Sequence, residues 1–139
     1  MPAHASAAKQ KGNAAFTGGD FRKAIVHYTM ALRVTQGSRD DREDSHAVSL
    51  FRAALFSNRS AAYASSTMWQ QALHDAQEAL EIDDQCAKYW CRKGAAQVGL
   101  GRLQDAGCSY KQALEVDGNS RAAQAGLEQV RSMLSDAER

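Results

Sequence analysis

Proline is nearly absent from this chain, and so is any feature that would give it a simple electrostatic or covalent character. The single proline stands at position 2 of 139 residues, so nothing of that kind interrupts a helix further along. Helix formers dominate, and an apolar share of 44% is ordinary for one globular domain, so composition alone favours an all-α class. Charge nearly cancels: 17 Lys and Arg against 16 Asp and Glu leave a net +1, which excludes the basic footprint of a nucleic-acid or anionic-membrane binder. No run approaches the roughly 18 apolar residues of a membrane span. The N-terminus lacks the basic start and apolar core of a signal peptide. The chain is therefore expected to be soluble and cytoplasmic, with any functional charge held locally.

Cysteine is scarce and odd in number, three in all, which argues against a disulfide framework. Cys86 and Cys91, five residues apart, would point about 140° from one another on a helix, and that spacing suits no common zinc site. The expected role is packing between helices as small apolar side chains, with no metal and no cofactor.

What the chain does have is an internal repeat. Residues 5–38, 53–86 and 87–120 are windows of 34 residues that overlay without a gap. Ala24, Ala72 and Ala106 share the twentieth position; Ala31, Ala79 and Ala113 share the twenty-seventh, each followed by leucine. Gly12, Ser60 and Gly94 fall at the eighth position, Gly19, Thr67 and Gly101 at the fifteenth, and Phe21, Trp69 and Leu103 at the seventeenth. With these offsets the chain resembles the tetratricopeptide repeat, each unit a helix, a tight turn and a second antiparallel helix. The resemblance implies an all-α, right-handed solenoid of three helix pairs. The second turn departs from the pattern, reading Ser66-Thr67-Met68, and is expected to be less sharply fixed; the usual late proline is replaced by Gln36, Asp84 and Gly118.

Between the first two windows lies an insertion, residues 39–52. Its front, 38–45, is crowded with charge and reads as a solvated, merely tolerated loop, whereas Ala47, Phe51 and Leu55 recur every four residues, so the first helix of unit two should begin near Ser45. Beyond Ser120, the spacing of Ala123, Leu127, Val130 and Leu134 predicts an amphipathic helix over 121–137, capped by Asn119 or Ser120, that covers the open end of the last repeat. All of 1–139 is thus expected to form one domain.

In such a stack the concave wall comes from the first helix of each unit. At about 100° per residue, positions 4, 7, 8 and 11 share one side, with Gly12, Phe56, Tyr63, Trp90 and Gly94. Positions 2, 5, 6, 9 and 12 lie opposite and should face the groove: Lys9, Asn13 and Phe16, then Asn58 and Ala61, then Lys88, Arg92 and Ala95. Three cations and two amides without a carboxylate call for an anion. A peptide's C-terminal Asp offers two carboxylates, and several donors from different directions suit them.

Lys9-Gln10-Lys11-Gly12-Asn13, Ser57-Asn58-Arg59-Ser60-Ala61-Ala62-Tyr63 and Lys88-Tyr89-Trp90-Cys91-Arg92 resemble the two-carboxylate clamp of co-chaperone tetratricopeptide domains of the stress-inducible phosphoprotein and immunophilin kind. The resemblance implies a protein-interaction module that binds the Glu-Glu-Val-Asp terminus of cytosolic 70-kDa or 90-kDa heat-shock chaperones. Lys9, Asn13, Asn58 and Lys88 would hold the terminal Asp, and Arg92 would reach residues upstream. Phe16, Ala61, Ala64 and Ala95 would shape apolar pockets, and Ser65 leaves the preference between the two chaperones open. The alternative is a scaffold for another protein, or one that self-assembles, with an incidental groove; as an isolated domain a monomer is expected. An enzyme is disfavoured, since His4, His27, His46 and His74 fall on separate elements with no nucleophile spaced to a base. No second domain accompanies the repeats, so the chain reads as a short adaptor or as the module of a longer protein.

Overall fold

The computed structural model describes residues 3–36 and 45–138. Within them lie seven α-helices and no strand: α1 (Ala3–Thr17), α2 (Phe21–Gln36), α3 (Ser45–Ser65), α4 (Trp69–Ile82), α5 (Ala87–Gly99), α6 (Leu103–Val116) and α7 (Arg121–Ala137). The stretch 37–44, which holds nearly all of the expected charged loop, lies outside the described residues. Helix α3 begins at Ser45, where the recurrence of Ala47, Phe51 and Leu55 puts it, and spans 21 residues against 15 for α1 and 13 for α5.

Each helix packs on the next in sequence. In addition α1 meets α3, α3 meets α5 and α5 meets α7, whereas the even-numbered helices do not touch one another. An array whose members converge on one side only must bend toward that side, so α1, α3 and α5 form the inner wall.

The small repeated residues explain how closely the pairs approach. Ala24, Ala72, Ala106, Ala31, Ala79 and Ala113 are all 0% exposed, and a longer side chain at any of them would wedge two helices apart. The eighth position is tighter still. A Cβ added to Gly12 would stand 2.6 Å from Cε1 of Tyr28, and one on Gly94 would stand 2.8 Å from Cζ of Tyr110. The second repeat has no tyrosine there: Ala76 takes that place, and the Ser60 hydroxyl turns inward to donate to the Ala72 carbonyl at 2.7 Å. Of the expected packing residues, Phe56 joins the glycines in the interior, while Tyr63 and Trp90 are only partly buried.

All three turns close alike. In the first, Gly19 N donates to Phe16 O at 3.0 Å and Asp20 N to Ala15 O at 2.9 Å; in the third, Gly101 N reaches Val98 O at 3.0 Å and Arg102 N reaches Gln97 O at 2.8 Å. The second turn was expected to be looser, and the structure corrects this: Thr67 N to Ala64 O is 3.0 Å and Met68 N to Tyr63 O is 2.8 Å. Thr67 attains it by adopting the left-handed conformation, φ 58°, that Gly19 (82°) and Gly101 (77°) take without a steric penalty. Asp20 caps α2 by accepting from Lys23 N at 3.1 Å, while Met68 and Arg102 make no side-chain cap.

Helix α7 starts at the Ser120 cap, whose hydroxyl accepts from Ala123 N at 3.2 Å, and its Leu127 and Val130 pack on Ala106 and Tyr110. The Tyr110 ring also lies against Gly126, where no side chain would fit. The cysteines differ from expectation in one respect: Cys86 and Cys91 are partly buried against the core, but Cys108 is exposed, because its outward position on α6 has no helix beyond it. Burial pushes the Cys91 thiol up.

Candidate functional site

Where α1, α3 and α5 meet on the inner wall, a pocket of about 220 Å³ opens, lined by Asn13, Phe16, Thr17, Tyr28, Asn58, Ala61, Lys88 and Arg92. Six of these are residues singled out from the repeat geometry. The other three sequence-predicted residues lie elsewhere. The Lys9 ammonium sits 5.0 Å over the Phe51 ring, on the α3 extension, instead of in the pocket. Ala64 packs on the cluster of Ala72, Leu73 and Ala96, and Ala95, half-buried, is not part of the lining.

Thr17 and Tyr28 are pocket residues that reading the first helices alone missed. Thr17 is one helical turn beyond Asn13, to whose carbonyl its hydroxyl donates at 3.0 Å. Tyr28 comes from α2 and crosses to the wall over the bare backbone of Gly12. The signal for it was present: a glycine at the eighth position opposite a large aromatic at the twenty-fourth.

The pocket has donors in excess. No carboxylate lines it, and no ion pair to Lys88 or Arg92 occurs among the described residues. Arg92 Nε is buried without a hydrogen-bond partner, and burial pulls the guanidinium pKa below its usual value. The contrast with Arg59 is informative. Its Nε and Nη2 bind the two oxygens of Asp75, itself 1% exposed, at 2.7 and 2.8 Å, and the net effect, in spite of burial, is a pKa held above the ordinary one. One buried arginine is neutralised inside the fold. The other has its charge turned to the groove, an arrangement that an incoming anion would satisfy. Among the described residues there is no group of three or more His, Cys, Asp or Glu side chains that could hold a metal ion.

Paired antiparallel helices, three equivalent turns and a polar inner wall define a tetratricopeptide-repeat domain. No protein-family model matches the chain. It is 43% identical over 122 residues to heat shock protein STI1 of Saccharomyces cerevisiae, covering 88% of this chain but only 18% of that protein. Among solved structures, the Sgt2 tetratricopeptide domain of Aspergillus fumigatus superposes with a TM-score of 0.82 at 29% identity, over 99% of this chain and 83% of that one. The first tetratricopeptide domain of Spaghetti (RPAP3), bound to the HSP90 peptide SRMEEVD, superposes with a TM-score of 0.77 at 27% identity, over 94% and 95% of the two chains. The chain is homologous to the co-chaperone tetratricopeptide domains of the Sti1 and Sgt2 kind, and spans less than a fifth of the length of the yeast protein.

Proposed function

We propose that this domain is a co-chaperone adaptor that binds the C-terminal Glu-Glu-Val-Asp tail of cytosolic 70-kDa or 90-kDa heat-shock chaperones, and that it works in the cytoplasm without catalysing a reaction. The observation that carries the reading is the unpaired, half-buried Arg92 in a pocket that also presents Asn13, Asn58 and Lys88 and contains no acid. In this reading Asn13, Asn58 and Lys88 take the carboxylates of the terminal Asp, and Arg92 reaches further along the tail. Lys9 joins them by swinging its flexible stem from Phe51, and Phe16 with Ala61 makes the apolar floor. The peptide carried by the Spaghetti domain supports the same chemistry. The four histidines stand on α1, α2, α3 and α4 in turn, and His74 has an acid within reach, Glu78 at 3.8 Å, on an exposed stretch of α4 away from the pocket lining.

Calorimetric titration tests it, with peptides ending Met-Glu-Glu-Val-Asp and Ile-Glu-Glu-Val-Asp, each beside its C-terminal amide. A hydrogen bond to a charged group contributes roughly 1.5–3 kcal/mol, so Arg92→Ala or Lys88→Ala should weaken the free-acid peptide about tenfold to a hundredfold. Micromolar affinity is expected, because a flexible tail must be ordered on binding, and added salt should weaken it. Equal affinity for acid and amide would move the assignment to a scaffold with another partner.

A further inference from the structure

Asn13 differs from the cations around it in having an ambiguous end. A primary amide carries a carbonyl on one side and an NH2 on the other, and a carboxylate can use only the NH2. Which end faces the groove depends on what holds the other. The Asn13 carbonyl accepts two hydrogen bonds, from the Tyr28 hydroxyl at 2.6 Å and from Asn58 Nδ2 at 3.3 Å. Both occupy Oδ1, so the NH2 is left for the pocket.

We propose that Tyr28 is a positioning residue of the peptide site: its hydroxyl, together with Asn58, fixes the Asn13 amide in the sense that offers donors to a terminal carboxylate. The inference rests on the tail-binding reading above. Tyr28 is 2% exposed and reaches Asn13 because Gly12 has no side chain in its path. Burial raises its pKa against the opposing charge of Arg92, which keeps the phenol a donor.

The repeats supply an internal control. At the ninth position stand Asn13, Ala61 and Ala95, and at the twenty-fourth Tyr28, Ala76 and Tyr110. Tyr110 covers Gly94 as Tyr28 covers Gly12, but the position equivalent to Asn13 holds Ala95, so there is no amide there to orient. The ring is a packing element in both repeats; the hydroxyl has a task in the first.

The test is a double-mutant cycle read by calorimetry with a free-acid Ile-Glu-Glu-Val-Asp peptide and its amide. Tyr28→Phe keeps the ring over Gly12 and should weaken the free-acid peptide about fivefold, the effect of one hydrogen bond. The amide should change little, since it can accept from or donate to either end of Asn13. Tyr110→Phe should leave both affinities unchanged. In an Asn13→Ala background Tyr28→Phe should cost nothing further. A loss that persists in that background, or an equal loss for acid and amide, would mean that Tyr28 acts through general structure, and the proposal fails. Wild-type affinity for Tyr28→Phe overturns the positioning role and leaves the clamp standing. A wild-type protein that ignores the tail overturns both.

Discussion

At the scale of single residues, groups of the same chemistry are buried in different company. Arg59 is paired with Asp75, while Arg92 Nε has no hydrogen-bond partner, so one guanidinium is neutralised inside the fold and the other is left open to the groove. The tyrosines show the same division. Tyr110 is 5% exposed, and burial pushes its phenol from 10.0 up to about 12. The unfolded chain gives up that proton near pH 10, so the folded state holds a proton that the unfolded state has lost. The stability this lends is complete below about pH 10 and is lost as pH rises toward about 12. Tyr110→Phe should therefore lose less stability than the wild type across that interval, by on the order of 2 kcal/mol, as read from urea unfolding at each pH. Parallel curves would show that the phenol titrates alike in both states. The burial of these phenols was not legible in the one-dimensional pattern, where Tyr28 and Tyr110 are equivalent positions; the pattern does show an amide at the ninth position of the first repeat and an alanine in the third, but not that the Tyr28 hydroxyl reaches that amide.

At the scale of elements, turn geometry outweighs turn chemistry. Ser66-Thr67-Met68 suggested a loose connection because it lacks both the glycine and the capping aspartate of the first repeat. The turn nonetheless closes with the same hydrogen bonds, since α3 and α4 are already held by a core of Ala62, Ala72 and Ala79. The unsuitable residues are retained under strain: Thr67 has φ 58°, and the N-terminus of α4 has no side-chain cap. Thr67→Gly with Met68→Asp should relieve both, each by roughly 0.5–1 kcal/mol, raising the melting temperature by about 3–6 °C. Circular dichroism melting checks it, and an unchanged midpoint would mean that the turn carries no strain. The α3 extension had a purpose that the apolar recurrence did not disclose. It brings Arg52 to the end of α2, where Nη1 donates to Leu32 O at 2.6 Å and Thr35 Oγ1 at 2.7 Å, and it places Phe51 under Lys9.

At the scale of the whole molecule, a three-repeat array is stable only if its last face is covered, and α7 covers it with Leu127, 8% exposed, and Val130, 1% exposed. Leu127→Ala should cost about 2–3 kcal/mol of global stability, measured by urea unfolding, while the free-acid peptide affinity stays as in the wild type. A loss of local protection with no change in global stability would make α7 an appendage instead of part of the cooperative unit. The architecture was readable in advance because a period of 34 residues, with alanine and glycine at fixed offsets, leaves few ways to stack. The direction of the six wall residues that do line the pocket was readable because helical periodicity assigns angles about an axis. Periodicity says nothing of reach, however, or of what arrives from a neighbouring helix. Only the tertiary structure decided that Lys9 lies over Phe51, that Ala64 and Ala95 stand outside the pocket, that Cys108 is exposed and that Tyr28 crosses Gly12 to hydrogen-bond Asn13. Each depends on the distance between helices, and that distance is set by packing among residues far apart in the chain.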